Sequence, residues 1–293
     1  MTAAIPNGPD ADVPITPALA RALLADQHPD LANLPIAYVE DGWDNTVMRL
    51  GDDLALRLPR RAVGARLIAT EQRWLPVVSP GLPLPTPSPV RIGVAGQGYP
   101  YAWSIVPWFE GLMAADAPPD ADQGEPLAAF LTALHQPAPA DAPTNPFRGV
   151  PLAERADAFE DRVRQVEARS GPLLAHLRAT WDAALAAPID LPRTWFHGDL
   201  HGRNVLTRAG KLAAVIDWGD MAAGDAACDL AAVWMLLPQL AARDRALAAC
   251  GVSAATLARA RGWAAIMAVM MLAGDARMTG MGADLMARLA EGP

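Results

Sequence analysis

The sequence predicts an α+β chain in two parts: a small β-rich N-terminal lobe built on an antiparallel sheet, then a larger, mostly helical C-terminal lobe. Three observations predict it. Between residues 35 and 61, three short runs of strand-forming residues are separated by tight turns. Beyond Gly111 the apolar residues recur mostly at helical spacing. With 293 residues and 52% hydrophobic side chains, the chain is long enough to bury a core in each part. The boundary is placed after residue 107, giving lobes 1–107 and 108–293.

Residues 1 to about 14 are polar, carry Pro and Gly, and read as a mobile tail. Thr16-Pro17 then supplies an N-cap and a proline at the first helical position, opening a helix to about Asp26. Strands are predicted at Ile36 to Glu40, Thr46 to Leu50 and Leu54 to Leu58. They are joined by turns at Asp41 to Asn45 and at Gly51-Asp52-Asp53. A helix carrying Glu71 follows, from about Val63 to Leu75. The proline-dense SPGLPLPTPSPVRIG leads to strands at Val90 to Val94 and Tyr101 to Val106, the last ended by Pro107. Helices are then predicted over Glu125 to His135, Pro151 to Ser170 and Pro172 to Ala186, with a Pro-rich loop from Gln136 to Pro146. Short β-like runs interrupt at Thr194 to Trp218. Apolar helices resume from about Ala227, Ala241, Ala254 and Asp284, and no internal repeat is evident.

The net charge of -8 argues against a nucleic-acid surface. Only Cys228 and Cys250 are present, both in helix-like stretches, which reads as buried free thiols rather than a disulfide framework. The N-terminal residues have no basic region followed by an apolar run, so they lack the form of a secretory signal. The longest apolar run, Trp263 to Ala273, is too short to span a bilayer. A cytoplasmic protein with neither nucleic-acid nor membrane partners is expected.

The chemistry concentrates in WFHGDLHGRNVL, residues 195 to 206. His197 and His201 have the offset of a helical zinc pair. However, Gly198 and Gly202 disfavour a helix, and no Glu stands in the zincin position. Thirteen residues after Asn204, Asp217 arrives in the apolar run LAAVIDWGD. Taken together, HGDLHGRN, VIDWGD and the following GDAACDLA are similar to the aminoglycoside phosphotransferase family of small-molecule kinases, within the protein-kinase-like superfamily. The resemblance covers most of the chain from about residue 35 and implies a bilobal protein-kinase-like fold.

Phosphoryl transfer needs a carboxylate to accept or orient the hydroxyl proton, and oxygen ligands to hold Mg²⁺ against the phosphates. Asp199 fits the first role, Asn204 and Asp217 the second. Arg203 is a candidate phosphate contact or a plain surface charge. In the resemblance, His197 anchors the loop, and Asp229 opens a helix and braces the loop by accepting backbone hydrogen bonds. His201 stands where protein kinases often carry a Lys toward the transferring phosphate. It is read as a substrate or γ-phosphate contact, or else as a solvated loop residue. Asp220 and Asp225 read as solvated turn residues.

On the nucleotide side, the loop Asp41-Gly42-Trp43-Asp44-Asn45 would cover the phosphates, with the Gly42 and Asn45 region contributing backbone amides. The third strand, LALRLPRR, puts Arg57 where the fold family places a Lys, with Glu71 as its partner. Lys211 is the chain's only lysine. Arg57 keeps the charge with a different geometry, so an active kinase and a nucleotide-binding pseudokinase both stay open. The connector SIVPWFEG would meet the nucleotide base through the Pro107 carbonyl and the Phe109 amide.

The donor is expected to be ATP or GTP with Mg²⁺. The acceptor is a small-molecule hydroxyl, either of an antibiotic of the aminoglycoside or macrolide class or of an endogenous metabolite. The acceptor pocket is expected on the helical lobe, between the Pro-rich insert, the Pro151 to Ser170 helix and the C-terminal helices. Residues 112 to 293 hold 21 acidic and 16 basic residues, an excess that suits a cationic acceptor but equally reflects solvated helix faces. The C-terminal Ala290-Glu291-Gly292-Pro293 offers no acidic clamp, which weighs against an aminoglycoside.

Overall fold

The computed structural model describes residues 9–170 and 175–291. The first eight residues of the predicted tail, residues 172–174 of the helix expected from Pro172, and Gly292-Pro293 lie outside them. The chain divides into two compact units. One comprises the chain to Pro80, Pro85–Phe109 and Asp217–Gly219; the other comprises Gly81–Leu84, Glu110–Ile216 and the chain from Asp220.

In the first unit, helix α1 (Pro17–Gln27) starts where Thr16 Oγ1 accepts from Leu19 N at 3.2 Å, with Pro17 in the first turn. Strands β1 (Ile36–Asp41), β2 (Asn45–Leu50), β3 (Leu54–Pro59), β4 (Arg91–Gly93) and β5 (Trp103–Pro107) form one sheet in the order β1-β2-β3-β5-β4. Every pairing is antiparallel. Gly51 makes the β2–β3 turn at φ +63°, a left-handed conformation cheap only for glycine. Met48, Leu50, Leu56, Leu58 and Ile105 form a core with Leu23 and Leu24 of α1. Because strand side chains alternate faces, Arg57 points away from that core, to the face where it meets Glu71 of α2 (Ala62–Val78).

The second unit opens with β6 (Leu112–Met113), followed by α3 (Gly124–Leu134), α4 (Ala156–Ser170) and α5 (Ala175–Ala186). Strands β7 (Thr194–Phe196), β8 (Val205–Arg208), β9 (Lys211–Val215) and β10 (Ala222–Gly224) come next. They pair as β7 with β10 and in the order β6-β8-β9, which fixes both ends of the loops at 197–204 and 216–221. The chain continues as α6 (Ala227–Leu230), α7 (Ala232–Leu236), α8 (Leu240–Cys250), α9 (Ala254–Leu272) and α10 (Ala276–Ala290).

Helix α9 is the hub, packed by α4, α5, α6 and α10. By length and composition its 19 residues could cross a membrane, yet its most apolar stretch is 67% buried inside the protein. That matches a helix apolar on all sides in a large core.

Four expectations need correction. The helix expected from Pro151 begins as a 3-10 turn, Leu152–Arg155, and becomes α-helical only at Ala156. The helix expected near Ala227 is broken into α6 and α7. Strands β6 and β10 are additional. The last helix starts at Ala276, eight residues before Asp284, and runs through Gly280 and Gly282. A Cβ at Gly282 would lie 2.8 Å from Leu272 N, so this glycine lets α10 approach α9 rather than ending the helix.

Candidate active site

The loop between β7 and β8 folds on itself through short-range bonds. Asn204 N donates to His201 O and His201 N to Asp199 O, both at 2.9 Å. The Asn204 side chain, 6% exposed, turns its amide inward: Nδ2 donates to Asp199 O at 2.9 Å and to Asp199 Oδ2 at 3.0 Å. That leaves Asn204 Oδ1 as the side-chain atom that could hold a cation. His201 is also buried, and its Nε2 stands 3.3 Å from Asp199 Oδ2. Since its Nδ1 accepts from Arg203 N at 3.2 Å, the ring proton sits on Nε2 and faces the carboxylate. His201 thus lies on Asp199 and is not a solvated loop residue. The half-buried Arg203 guanidinium makes no hydrogen bond or ion pair among the described residues.

Burial pushes the Asp199 carboxyl up, but His201, Arg148 and His197 outweigh it and hold the group well below the usual carboxylate range. Asp199 is therefore a carboxylate at neutral pH.

Asp229 holds the loop from beneath. Its buried carboxylate accepts from His197 N through Oδ2 and from Gly198 N through Oδ1, each at 2.7 Å. His197 is fully buried. Its Nδ1 accepts from Asp199 N at 3.2 Å, so Nε2 carries the proton toward Ile216 O, 3.0 Å away. Both ring nitrogens are taken up by backbone groups, which removes His197 from the zinc pair that its spacing suggested. Replacing Asp229 by Ala is expected to orphan two buried N–H groups, each costing about 1–3 kcal/mol. Chemical denaturation of Asp229→Ala, against Asp229→Asn, which keeps one acceptor, measures that loss.

Asp225 is no solvated turn residue: it is 5% exposed and pairs with Arg259 Nε at 2.7 Å. Asp220 is half-buried and accepts from Asn145 Nδ2 at 2.8 Å. Sequence reasoning missed Arg148, whose Nη2 donates to Asp199 Oδ1 at 3.4 Å. No short-range pattern pairs residues 51 positions apart.

In the first unit, Arg57 forms a two-pronged pair with Glu71, through Nη1 to Oε2 and through Nη2 to Oε1 at 3.0 Å. Its Nη2 also lies 3.6 Å from Asp217 Oδ1. Burial pulls the Arg57 pKa down, but Glu71, Asp217 and Asp44 outweigh it, so the guanidinium stays charged. Asp217 is held at φ +57°, a costly conformation for a side-chain-bearing residue, and its carboxylate is 59% exposed. The preceding Ile216 donates its N–H to Asn204 O at 2.9 Å.

Within the 41–45 turn, Gly42 N donates to Asn45 O at 2.9 Å and Gly42 O accepts from Arg60 at 2.8 Å. The Gly42 amide is thus spent within the turn, contrary to the expectation that it points at phosphate. Asn45 Oδ1 is buried with no hydrogen-bond partner among the described residues. Pro107 ends β5 opposite Leu54, and Phe109 is half-buried. Between them, Trp108 N is committed to Asp53 O at 2.8 Å and its ring lies under the Arg49 guanidinium.

A model of the phosphotransferase enzyme family (APH) matches residues 35–263. The chain belongs to this phosphotransferase family. Among solved structures, the GDP complex of wild-type aminoglycoside 2'-phosphotransferase-IIIa aligns over 94% of this chain and 99% of that one, at a TM-score of 0.67 and 19% identity. The streptomycin–ATP–APH(2")-IIa ternary complex covers 89% and 91%, at 0.59 and 15%. The apoenzyme of macrolide 2'-phosphotransferase MphH from Brachybacterium faecium covers 91% and 97%, at 0.58 and 22%. These likenesses show the phosphotransferase chain to have the α+β protein-kinase-like fold, an antiparallel sheet followed by a helical region. No curated protein matches the sequence. Family and neighbours support a small-molecule phosphotransferase.

Proposed function

We propose that this chain transfers the γ-phosphoryl group of ATP or GTP to a hydroxyl of an antibiotic-like small molecule in the cytoplasm. The observation that carries the reading is the state of Asp199: an ionised carboxylate with Oδ2 held by Asn204 and His201, and with Oδ1 touched only by Arg148 at 3.4 Å among the described residues. A base within reach of the acceptor must be deprotonated and pre-oriented, and Asp199 is both. In the transfer, the acceptor oxygen forms a bond to the γ-phosphorus as the bond to the β–γ bridging oxygen breaks. The hydroxyl proton passes to Asp199 Oδ1, and the nucleoside diphosphate leaves with the bond's electron pair.

Asn204 Oδ1 and the Asp217 carboxylate are each an oxygen donor of the kind a hard divalent cation takes, so each is a proposed Mg²⁺ ligand. A Mg²⁺ ion held by these ligands would supply charge neutralisation at the phosphoryl oxygens. Arg57, fixed by Glu71, is the proposed cationic contact of the nucleotide phosphates. The 41–45 turn with Asn45 and the connector at Pro107 and Phe109 are the proposed walls of the nucleotide site. Arg203 is a further phosphate contact in this reading, and His201 acts by holding Asp199.

Gly202 of the catalytic loop helps to line a cavity of about 50 Å³, far below the roughly 300–1,000 Å³ of a small-molecule site. Met235, Leu236, Met271, Met281 and Leu285 line it together with Asp284 and Arg288, whose opposite charges stand 3.9 Å apart. The rest of the lining is Ala114, Ala115 and Pro118; the acceptor is proposed to bind between the Pro-rich insert, α4 and the C-terminal helices.

The test is nucleoside diphosphate release, followed by mass, with Mg-ATP or Mg-GTP and a panel of macrolides, aminoglycosides and small alcohols. Acceptor-dependent release with a phosphorylated product is expected from a member of the macrolide or aminoglycoside sets. Tight nucleotide binding with no acceptor-dependent release across the panel would instead identify a pseudokinase, with Arg57 as the reason.

A further inference from the structure

Residues 143–149, at the end of the Pro-rich segment between α3 and α4, are tied to the elements around the catalytic loop. Ala223 N donates to Pro143 O at 2.9 Å, and Asp225 N donates to Gly149 O at 2.8 Å. Between these anchors, Asn145 Nδ2 donates to Asp220 Oδ1 while Asn145 Oδ1 accepts from Phe147 N, both at 2.8 Å. Gly149 has φ +62°, and a Cβ there would lie 2.2 Å from the Phe196 ring. Only glycine fits, and the backbone on both sides of Arg148 is fixed. The Arg148 side chain, 12% exposed, donates Nε to Gly198 O at 2.7 Å and Nη2 to Asp199 Oδ1 at 3.4 Å.

The geometry points to Arg148 as a positioning residue for phosphoryl transfer, holding the oxygen of Asp199 that receives the acceptor's proton. This role rests on the phosphotransfer reading. Asn204 and His201 hold the carboxylate through Oδ2 alone, which leaves rotation about the Cβ–Cγ bond open. Arg148 supplies the second hold, on Oδ1, and at the same time pins the carbonyl of Gly198 next to it. At 3.4 Å the contact to Oδ1 is longer than a tight charge-assisted bond, so that oxygen keeps a lone pair for the incoming hydroxyl. The two points are spanned by one rigid, forked guanidinium, which a lysine ammonium cannot reproduce.

Because the acceptor is unidentified, the test uses water as acceptor, measuring hydrolysis of Mg-ATP and Mg-GTP together with their binding by calorimetry. Arg148→Ala is expected to lower kcat about 100-fold, the scale set by misplacing a reacting group by an ångström, with KM and nucleotide affinity unchanged. Added guanidinium at non-denaturing concentration should restore part of the loss in Arg148→Ala and none in Asp199→Asn. Arg148→Lys, which keeps the buried charge if the alanine variant fails to fold, should also lose kcat with its melting midpoint preserved. Wild-type kcat in Arg148→Lys would overturn the role, as would a parallel loss of nucleotide affinity and turnover in Arg148→Ala that guanidinium leaves unchanged. A wild-type protein that binds nucleotide but turns over neither with water nor with any panel acceptor would overturn the phosphotransfer reading itself, and this role with it.

Discussion

Asp199→Asn is expected to lower kcat by about 10²–10⁴-fold, the usual worth of a positioned general base, while Mg-nucleotide affinity stays near that of the wild type. The substitution is nearly isosteric. An amide oxygen placed where Oδ2 now sits still accepts from Asn204 Nδ2 and stands near His201 Nε2, so the loop keeps its fold. What it loses is the negative charge and an atom able to take the acceptor's proton. The amide NH₂ would also face the Arg148 guanidinium, donor against donor. Steady-state kinetics at saturating nucleotide and acceptor, with nucleotide titration alongside, measures this. A kcat within threefold of the wild type would remove Asp199 from the chemistry.

The second large effect is on stability. Arg57 and Glu71 are 8% and 2% exposed, and their two-pronged pair is buried against the sheet. Taking one charge away while leaving the other buried costs about 3–5 kcal/mol, because desolvation of the survivor is no longer offset. Arg57→Met is therefore expected to unfold at markedly lower denaturant. The double variant Arg57→Met with Glu71→Leu should recover most of the loss, since an apolar pair of similar volume has no buried charge to satisfy. A single variant within 1 kcal/mol of the wild type would show that Glu71 is adequately satisfied without Arg57. Nucleotide affinity should fall in both variants, separating the guanidinium's proposed phosphate role from its structural one.

The features legible in the sequence were those set by near neighbours. Thr16-Pro17 announced α1 because cap and helix lie within four residues. The β1–β3 meander was readable from turn residues and alternation, and the HGDLHGRN loop, recognised through resemblance, is closed by bonds spanning two to five residues. Asp229, recognised through resemblance, reaches back 32 residues to His197 N, a link no periodicity contains. The illegible parts depend on distant partners. Strands β6 and β10 are two and three residues long and exist only through pairing with β8 and β7. Helix α10 starts at Ala276, ahead of the expected Asp284, and so includes Gly282, where it closes on α9. Arg148 carries no short-range signal, since its partners Gly198 and Asp199 lie 50 and 51 positions away.

The central claim, transfer of a nucleotide γ-phosphoryl to a carbon-bound hydroxyl, is tested most directly by ³¹P NMR of the protein with Mg-nucleotide and its best panel acceptor. The γ-phosphate signal should decline as a phosphate monoester signal of equal intensity grows on the acceptor. A γ-phosphate signal that persists while nucleotide is demonstrably bound, with no monoester formed, would contradict it.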